Sequence, residues 1–413
     1  MKIQDVLAVT GRSGYFNKDL AAVRAGGVTA NGFNIEGDPV TPGFDRVIQP
    51  GEVISVMLVL EDGSVAHGDC LDVIFTGAAG RDPIFRAREH MAHLEGPIRE
   101  LLVGRDCSLF KPLAAEIEAL EAGGAKLHTA VRYGVSQALL HAASLAGREC
   151  MAETVAREYG TEVSTAPIPI LAMCPTDQLK QVDKMVMKGV ELLPHGSFSN
   201  TQEHLGPGGQ LLLDYAGWVA GRVADLGAPG YSPIIHLDVY GTLGELFDMD
   251  AAAIAGFLGR LKEQVGSLEL YMETPIIADS REAQIEAFRA LGEALAGQGV
   301  DVKLIADEWC NTLDDIRVFA DAEAVDFIQV KTPDLGGLHN SIEALLYCKA
   351  KGMGIYVGGT ANETDQSARL CTHIALASRA DFMMLKPGQG VDEGLMLQTN
   401  EMQRALALIA GRN

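Results

Sequence analysis

Four strand-like segments in the second half of the chain each end on a polar residue suited to one shared site. They read IIHLDVYG, LELYMETP, DVKLIADEW and DFIQVKTPDLGG, and the polar residues near their ends are Asp238, Glu273, Asp307 and Lys331. Helix-patterned sequence separates the segments, and strands that alternate with helices are typical of a parallel sheet. In a (β/α) barrel the C-terminal ends of the strands meet at one mouth. The pattern therefore predicts that three carboxylates and a lysine converge there.

The alternation of residue types within each segment supports this placement. In the first segment Ile235 and Leu237 share one face, while His236 and Asp238 share the other. Successive side chains of a strand point to opposite faces of the sheet. The same phase holds in the other three segments, so each polar terminus lies opposite the aliphatic set. We expect the aliphatic face to pack on helices and the mixed face to look into the barrel.

The regular alternation of strands and helices begins near Ala166 and predicts an α/β fold, a (β/α)8 barrel. The longest interruption, residues 197–232, is expected to be a loop and a helix that cross the barrel mouth. The eight candidate barrel strands lie near residues 167–173, 189–194, 234–240, 268–273, 302–307, 326–331, 354–358 and 382–386.

The first part of the chain has a different pattern. Residues 51–60 and 65–74 predict an antiparallel pair around the turn EDG. Helical patterns follow at residues 82–103, 109–121, 128–146 and 150–158. Strands followed by a run of helices indicate an α+β unit. We therefore predict an N-terminal α+β capping domain at residues 1–160 and the catalytic barrel at residues 161–413.

Composition limits the partners of this 413-residue chain. The net charge is −22 and no run of basic residues occurs. Nucleic acids and anionic membranes are bound through clustered Lys and Arg, so we expect neither as a partner. No apolar run is long enough to span a membrane. The seven cysteines are scattered without a CxxC pair, which is typical of reduced thiols in a cytoplasmic protein.

Three carboxylates at one barrel mouth are suited to a magnesium ion. Mg²⁺ takes oxygen ligands in octahedral geometry and leaves positions open for substrate. A substrate carboxylate bound there is polarised, so a proton on the neighbouring carbon can leave to a base. Lys331 is the candidate base, and we expect burial and the cation to lower its pKa. Nucleotide binding is the competing use of such a cluster, but the chain has no GxxxxGK[ST] loop.

Further candidate residues lie at the ends of other strands. His195 ends the second strand, on the opposite side of the barrel from Lys331, and is a candidate for a second acid or base. Gln329 shares the inward face with Lys331 and is expected to hold a substrate oxygen. Thr360 follows two glycines that allow the backbone to approach a ligand closely. Lys386 ends the eighth predicted strand and is expected to add positive charge at the rim.

This set of residues resembles the enolase superfamily and, within it, is closest to the methylaspartate ammonia-lyases. The segments that carry the resemblance include VMLVLEDGSVAHGDC (56–70), GAAGRDP (77–83), PIIHLDVYGTLG (233–244), QVKTPDLGG (329–337), GGTANET (358–364) and KPGQGVDEG (386–394).

The resemblance implies a magnesium ion held by Asp238, Glu273 and Asp307. It implies Lys331 as one base and His195 as the acid or base on the other face of the substrate. Gln329 and Thr360 are expected to contact the carboxylates of an amino-acid substrate. The implied reaction is the reversible loss of ammonia from 3-methylaspartate to give mesaconate, in a homodimer.

The chain departs from that family at three substrate-contacting positions. The family has glutamines where this chain has Ile74 and Met173, and a cysteine where it has Ala361. A buried ammonium or carboxylate without hydrogen-bond partners costs roughly several kcal/mol. The resemblance still implies a magnesium-dependent ammonia-lyase that acts on methylaspartate. The alternatives are a lyase or epimerase of the same superfamily for a carboxylate with a less polar distal end, and a catalytically silent binding protein.

Overall fold

Two units make up the chain, an N-terminal sheet with helices and a closed barrel. The computed structural model describes residues 1–78, 80–387 and 390–412. In the N-terminal unit the central strand β4 pairs antiparallel with β1 on one side and β5 on the other. Leu58 lies opposite Ala66 in the β4–β5 pair, so the antiparallel pairing around the turn EDG is confirmed. The strands of this unit are β1 (Ile3–Lys18), β2 (Thr29–Asn31), β3 (Asn34–Glu36), β4 (Ile48–Leu60), β5 (Val65–Cys70), β6 (Glu121–Ala122) and β7 (Ala125–Lys126).

The helices of the N-terminal unit follow the predicted pattern closely. They are α1 (Leu20–Ala25), α2 (Ala87–His93), α3 (Arg99–Leu102), α4 (Phe110–Ala119), α5 (Thr129–Gly147) and α6 (Met151–Tyr159). A π-helical turn at Leu94–Ile98, which contains Pro97, separates α2 from α3. Proline lacks the N–H that a regular helix needs at this point. The longest helix of the N-terminal unit, α5, lies directly on β5, because Gly68 and Gly134 have no Cβ to hold the two backbones apart.

Eight parallel strands close into a barrel in the order β10–β11–β12–β13–β14–β15–β8–β9. The predicted (β/α)8 architecture is thus confirmed. Its strands are β8 (Ile170–Leu171), β9 (Leu192–His195), β10 (Ile234–Asp238), β11 (Leu270–Glu273), β12 (Lys303–Ala306), β13 (Phe327–Val330), β14 (Gly354–Val357) and β15 (Phe382–Met384). Its helices are α7 (Leu179–Met187), α8 (Gln210–Leu226), α9 (Thr242–Leu246), α10 (Ala251–Val265), α11 (Arg281–Gln298), α12 (Leu313–Ala322), α13 (Leu338–Ala350), α14 (Asp365–Ser378) and α15 (Val391–Ala410).

The two faces of the barrel strands pack as the alternation predicts. Ile235, Leu237 and Met272 belong to the large core between strands and helices. A separate apolar cluster fills the barrel interior. It includes Leu171, Leu192, Tyr271, Ile305, Phe327, Tyr356 and Phe382. These side chains close the described part of the barrel interior below the mouth, so the space for a ligand within the barrel lies at the strand ends.

One sequence expectation about the mouth is wrong. The helix within residues 197–232 does not cross the barrel opening. It is α8, which lies in the outer layer between α7 and α10 as the regular helix after β9. Its apolar residues Leu212, Ala216 and Val219 recur at helical spacing and are buried in that layer.

The N-terminal unit sits on the barrel through buried polar contacts. Ser136 of α5 accepts the backbone N–H of Leu338 at 2.8 Å, and the Thr364 hydroxyl donates to Asp69 at 2.5 Å. These contacts place the segment after β5 over the barrel mouth. No helix among the described residues is long and apolar enough to cross a membrane.

Candidate active site

The four residues singled out at strand ends lie on four adjacent barrel strands. Asp238 and Glu273 are the last residues of β10 and β11, while Asp307 and Lys331 come directly after β12 and β13. The three carboxylates are at most 4% exposed. The Lys331 side chain is 14% exposed, and its Nζ donates a hydrogen bond of 2.8 Å to Asp307 Oδ2. The fold thus brings all four to the same mouth.

Backbone geometry at the mouth is strained at the same strand ends. His195, Tyr240, Thr274 and Trp309 all have positive φ angles, of 62°, 47°, 45° and 68°. Each lies at the end of one of the strands β9 to β12 or within three residues after it. Residues other than glycine rarely adopt a backbone conformation with positive φ, and it costs about 1–3 kcal/mol per residue. Such strain persists only where the surroundings hold it, and it is concentrated here around the carboxylates.

The carboxylates at the mouth repel one another. Burial raises the pKa of Asp238, and the neighbouring charges of Glu273 and Asp307 raise it further. Burial and Asp307 likewise raise the pKa of Glu273. Glu273 Oε2 is buried without a hydrogen-bond partner among the described residues. A bound cation would relieve both the repulsion and the missing interaction.

The charge on Lys331 differs from the sequence expectation. Burial is the largest single influence and lowers its pKa, but the carboxylates of Asp307, Asp334 and Glu308 together raise it by more, and the net shift is upward. The protein's own groups therefore do not lower the pKa of Lys331 as expected. Arg81 is the neighbour that opposes the rise, because its positive charge disfavours a second cation nearby.

His195 lies across the barrel from Lys331, because β9 and β13 are four strands apart in the closed order. Its Nε2 is 3.7 Å from Asp238 Oδ2, and its Nδ1 is 4.0 Å from Glu273 Oε2. Burial lowers its pKa well below the usual value, and the nearby His236 and Lys331 lower it further. The imidazole is therefore neutral near pH 7.

His236 is a residue of this site that the search for strand-end residues missed. Its ring stacks on His195 with 5.2 Å between ring centroids, and its Nε2 is 3.1 Å from Glu273 Oε2. His195, His236 and Glu273 each place one ligand atom within 4.8 Å of the other two. The signal was present, since the alternation puts His236 on the same inward face as Asp238. It lies two residues before the end of β10, so the strand-end pattern does not single it out.

A small cavity joins these residues. One side of this cavity is lined by polar side chains, those of Asp238, Asp307, Lys331, His195 and Gln329. Gln329 Nε2 donates a hydrogen bond to Glu273 Oε1, while its own Oε1 is buried without a partner among the described residues. Gln329 is thus beside the carboxylates, with one oxygen available.

Comparison with known proteins agrees with this geometry. The family model described as "Methylaspartate ammonia-lyase N-terminus" matches residues 1–160, and the one described as "Methylaspartate ammonia-lyase C-terminus" matches residues 162–411. The chain belongs to the methylaspartate ammonia-lyase family. It is therefore a carbon–nitrogen lyase of the enolase superfamily, as the resemblance predicted.

Relatives of known activity cover the whole chain. The methylaspartate ammonia-lyase of Clostridium tetanomorphum is 45% identical over all of both chains. A crystal structure of the Clostridium enzyme as a magnesium complex superposes with a TM-score of 0.95 over all of both chains. The Citrobacter amalonaticus enzyme with (2S,3S)-3-methylaspartic acid gives 0.97 at 45% identity, covering 99% of this chain and 100% of the other. A muconate cycloisomerase from Pseudomonas fluorescens, 15% identical, shares the fold with a TM-score of 0.60 over 91% of this chain and 84% of the other.

The positions at which this member of the family departs from the pattern lie together. Ile74, Met173 and Ala361 line the cavity, although they come from the N-terminal unit and from the ends of β8 and β14. Met384, at the end of β15, completes the same apolar side. The departures noted in the sequence thus form one continuous surface.

Thr360 lies on the same side of the cavity. Its Oγ1 accepts the backbone N–H groups of Ile74 at 3.3 Å and of Asn362 at 3.4 Å. Its backbone N–H donates to Glu363 at 3.2 Å. The hydroxyl hydrogen of Thr360 remains available to donate a hydrogen bond to a substrate.

Lys386 does not add charge at the rim, contrary to the sequence expectation. It is fully buried, and its Nζ lies 2.7 Å from Glu363 Oε2 and donates to Gly358 O at 2.8 Å. A Cβ on Gly359 would collide with both side chains of this pair, so a glycine is required there. Tyr133 of α5 donates to the other oxygen of Glu363 at 2.6 Å. The buried pair therefore holds the loop that carries Thr360 and ties it to the N-terminal unit.

Arg81 is a second residue that sequence reasoning missed. Its guanidinium lines the cavity and pairs with Asp334 at 2.9 Å and Glu308 at 3.4 Å, both on the barrel. It belongs to the segment GAAGRDP that carries the family resemblance. Nothing in that segment indicates which part of the barrel it meets, because the contact spans more than 220 residues of chain.

Proposed function

We propose that this protein eliminates ammonia from 3-methylaspartate to give mesaconate, with magnesium as cofactor. The observation that carries the proposal is the approach of Lys331 to three buried carboxylates, with its Nζ 2.8 Å from Asp307, at the mouth of a barrel of this family. The relatives that carry magnesium or (2S,3S)-3-methylaspartic acid in their structures support both parts of it.

We assign the magnesium ion to Asp238, Glu273 and Asp307. The burial of all three carboxylates at one mouth and the raised pKa values of Asp238 and Glu273 fit a cation between them. The alternative set formed by His195, His236 and Glu273 offers two nitrogens, which suit zinc or other transition metals, whereas magnesium prefers oxygen. When bound, magnesium supplies charge that stabilises the carboxylate of a substrate from which a neighbouring proton is removed.

The chain's own residues supply the proton transfers. Lys331 in its neutral form accepts the proton at Nζ, and Asp307 orients that nitrogen. His195, neutral and on the opposite side, can accept a proton from the other face of the same carbon. The free Oε1 of Gln329 is positioned to receive a hydrogen bond from the substrate. The C–N bond then breaks, and the nitrogen leaves with the bonding electrons.

We further propose that residues 1–160 act as a domain capping the barrel of residues 161–413, and that the enzyme is a cytoplasmic homodimer. The segment of the N-terminal unit that includes Ile74 and Arg81 closes the cavity, which supports a capping role. Sedimentation of the purified protein at several concentrations tests the dimer.

Turnover provides the direct test of the activity. The protein is mixed with Mg²⁺ and (2S,3S)-3-methylaspartate, and both mesaconate and ammonium are measured. Lys331→Ala is expected to abolish the reaction. Lys303→Ala is the matched control, because Lys303 is an exposed lysine that pairs with Asp326 at the other end of the barrel. Mesaconate formation that persists in Lys331→Ala would refute the assignment of the base.

A second candidate is an elimination or epimerisation of a different carboxylate. The apolar side of the cavity, formed by Ile74, Met173, Ala361 and Met384, favours it. Exchange of a substrate C–H proton with solvent deuterium, without ammonium release, would identify the epimerase.

A further inference from the structure

The cavity has two sides of opposite character. One side carries the ionisable groups Asp238, Asp307, Lys331 and His195. The described residues of the other side are Val73, Ile74, Phe75, Met173, Ala361, Met384 and the two loop residues Gly359 and Thr360. A substrate that spans the cavity must therefore have one polar and one apolar end.

The apolar side offers a charged group very little. Met173, Ala361 and Met384 are at most 5% exposed and belong to the apolar cluster of the barrel interior, against which Ile74 packs. Thr360 has a hydroxyl group on this side, and that oxygen already accepts two backbone N–H groups. Tyr240 also lines the cavity, with its ring 5.9 Å from that of Phe75, and its hydroxyl is hydrogen-bonded to Ser197. One neutral O–H cannot replace the water that a carboxylate or an ammonium loses on burial.

The remaining cation at the cavity is already engaged. Arg81 is 5% exposed and pairs through Nε with Asp334 and through Nη1 with Glu308, whose two carboxylates balance its charge, while its Nη2 is buried without a hydrogen-bond partner among the described residues. The free Nη2 could donate to one substrate oxygen, but a second substrate carboxylate would add a third negative charge to a guanidinium that two carboxylates already neutralise. The polar side is thus equipped for one carboxylate and for proton transfer.

The free volume limits the size of the apolar group. The whole cavity, polar side included, has a free volume of about 40 Å³, so the part next to the apolar wall is smaller still. Met173 and Met384 have flexible, unbranched side chains that adapt to an apolar neighbour. A short alkyl chain fits this space, whereas a large ring requires the wall to move.

We propose that the preferred substrate is a 3-amino monocarboxylate whose amine-bearing carbon carries a short alkyl group in place of a second carboxylate. This inference rests on the proposed elimination of ammonia. Lys331 takes the proton from carbon 2, that C–H electron pair forms the new C=C bond, and the C–N pair leaves with the nitrogen. The substrate R–CH(NH₃⁺)–CH₂–COO⁻ gives R–CH=CH–COO⁻ and NH₄⁺, with no change of oxidation state.

Competing substrates test the proposal. The magnesium-loaded enzyme is assayed with 3-aminopentanoate and with 3-methylaspartate, and ammonium release gives kcat/KM for each. We expect kcat/KM to be at least about tenfold higher for 3-aminopentanoate, which is the range over which apolar pockets discriminate. The reverse reaction, addition of ammonia to 2-pentenoate or to mesaconate, should show the same preference.

A substitution that restores polarity should shift the preference. Ile74→Gln places an amide on the apolar side at a half-buried position that tolerates it. We expect the ratio of the two kcat/KM values to move at least about tenfold toward 3-methylaspartate. Met187→Gln is the matched control, because Met187 is 71% exposed on α7 and should leave the ratio unchanged.

The outcomes separate this inference from the proposed function. Release of ammonium from both substrates with 3-methylaspartate preferred would overturn the inference and leave the proposed function standing. No ammonium from either substrate, and no exchange of their C–H protons with solvent deuterium, would overturn both. Turnover of 3-aminopentanoate alone supports the inference and corrects the named substrate.

Discussion

Replacing Lys386 by methionine tests whether the buried pair with Glu363 stabilises the fold and shapes the site. Methionine keeps the length and most of the packing of the lysine stem. It leaves the Glu363 carboxylate buried, with both side chains 0% exposed in the parent protein and their charged atoms 2.7 Å apart. The hydrogen bond from Nζ to Gly358 O is lost as well.

The expected loss in the free energy of unfolding is about 3–5 kcal/mol, the usual cost of removing one partner of a buried ion pair. A domain is stable by only about 5–15 kcal/mol, so this loss is large. Urea unfolding of the two proteins, followed by circular dichroism, measures it. Glu363→Gln should lose a similar amount, and the double variant should lose at least ~2 kcal/mol less than the sum, because neither charge is then stranded.

The same variants should change the site, because Glu363 holds the backbone N–H of Thr360 at 3.2 Å and accepts a 3.3 Å hydrogen bond from Thr332, the residue after Lys331. We expect a higher KM together with a lower kcat. Lys303→Met is the control, since its pair with Asp326 is solvent-exposed and worth about 1 kcal/mol or less. If Lys386→Met loses no more stability than Lys303→Met, the reasoning about the buried pair is wrong.

Three further predictions concern the charges of the protein. Lys331→Ala should slow exchange of the substrate C–H proton with solvent deuterium by ~100-fold or more, and His195→Ala should slow it by less. NMR measures the exchange, and equal losses in the two variants would contradict Lys331 as the principal base. Glu273→Gln should raise the dissociation constant for Mg²⁺ in calorimetry by about 10-fold or more, and an unchanged constant would remove Glu273 from the metal site. Burial and the neighbouring His67 lower the pKa of His141 from 6.5 to about 4. The unfolded chain therefore binds a proton first as the pH falls, and wild type should lose about 1–3 kcal/mol more of unfolding free energy between pH 6.5 and 4 than His141→Gln does; parallel urea curves would contradict this.

Local pattern was sufficient for much of the fold. The alternation in residues 234–240 and 268–273 identified which side chains face the helices, because a strand has a fixed period of two. Helix signals over residues 128–146 predicted α5 to within one residue. Turn signals at strand ends then sufficed to place Asp238 and Lys331 at a common barrel mouth.

Contacts between segments distant in sequence could not be predicted from local pattern. Lys386 follows the eighth strand, and only the approach of Glu363 makes it a buried residue instead of a rim charge. The sequence predicted α8 to be part of an insertion. Its buried contacts with α7 and α10 form only when the barrel closes, so local pattern did not show that it belongs to the outer layer.

The amino-acid order by itself determined the barrel, the strand-end acids and lysine, and the family, because these depend on short-range periodicity and on residue identity. Tertiary structure decided the rest. It brings Lys331 beside the carboxylates that raise its pKa, and it adds His236 to the site. It also brings Ile74, Met173 and Ala361 together as one surface. Each of these depends on distances between segments up to some 290 residues apart in sequence, and such distances are fixed only when the whole core has packed.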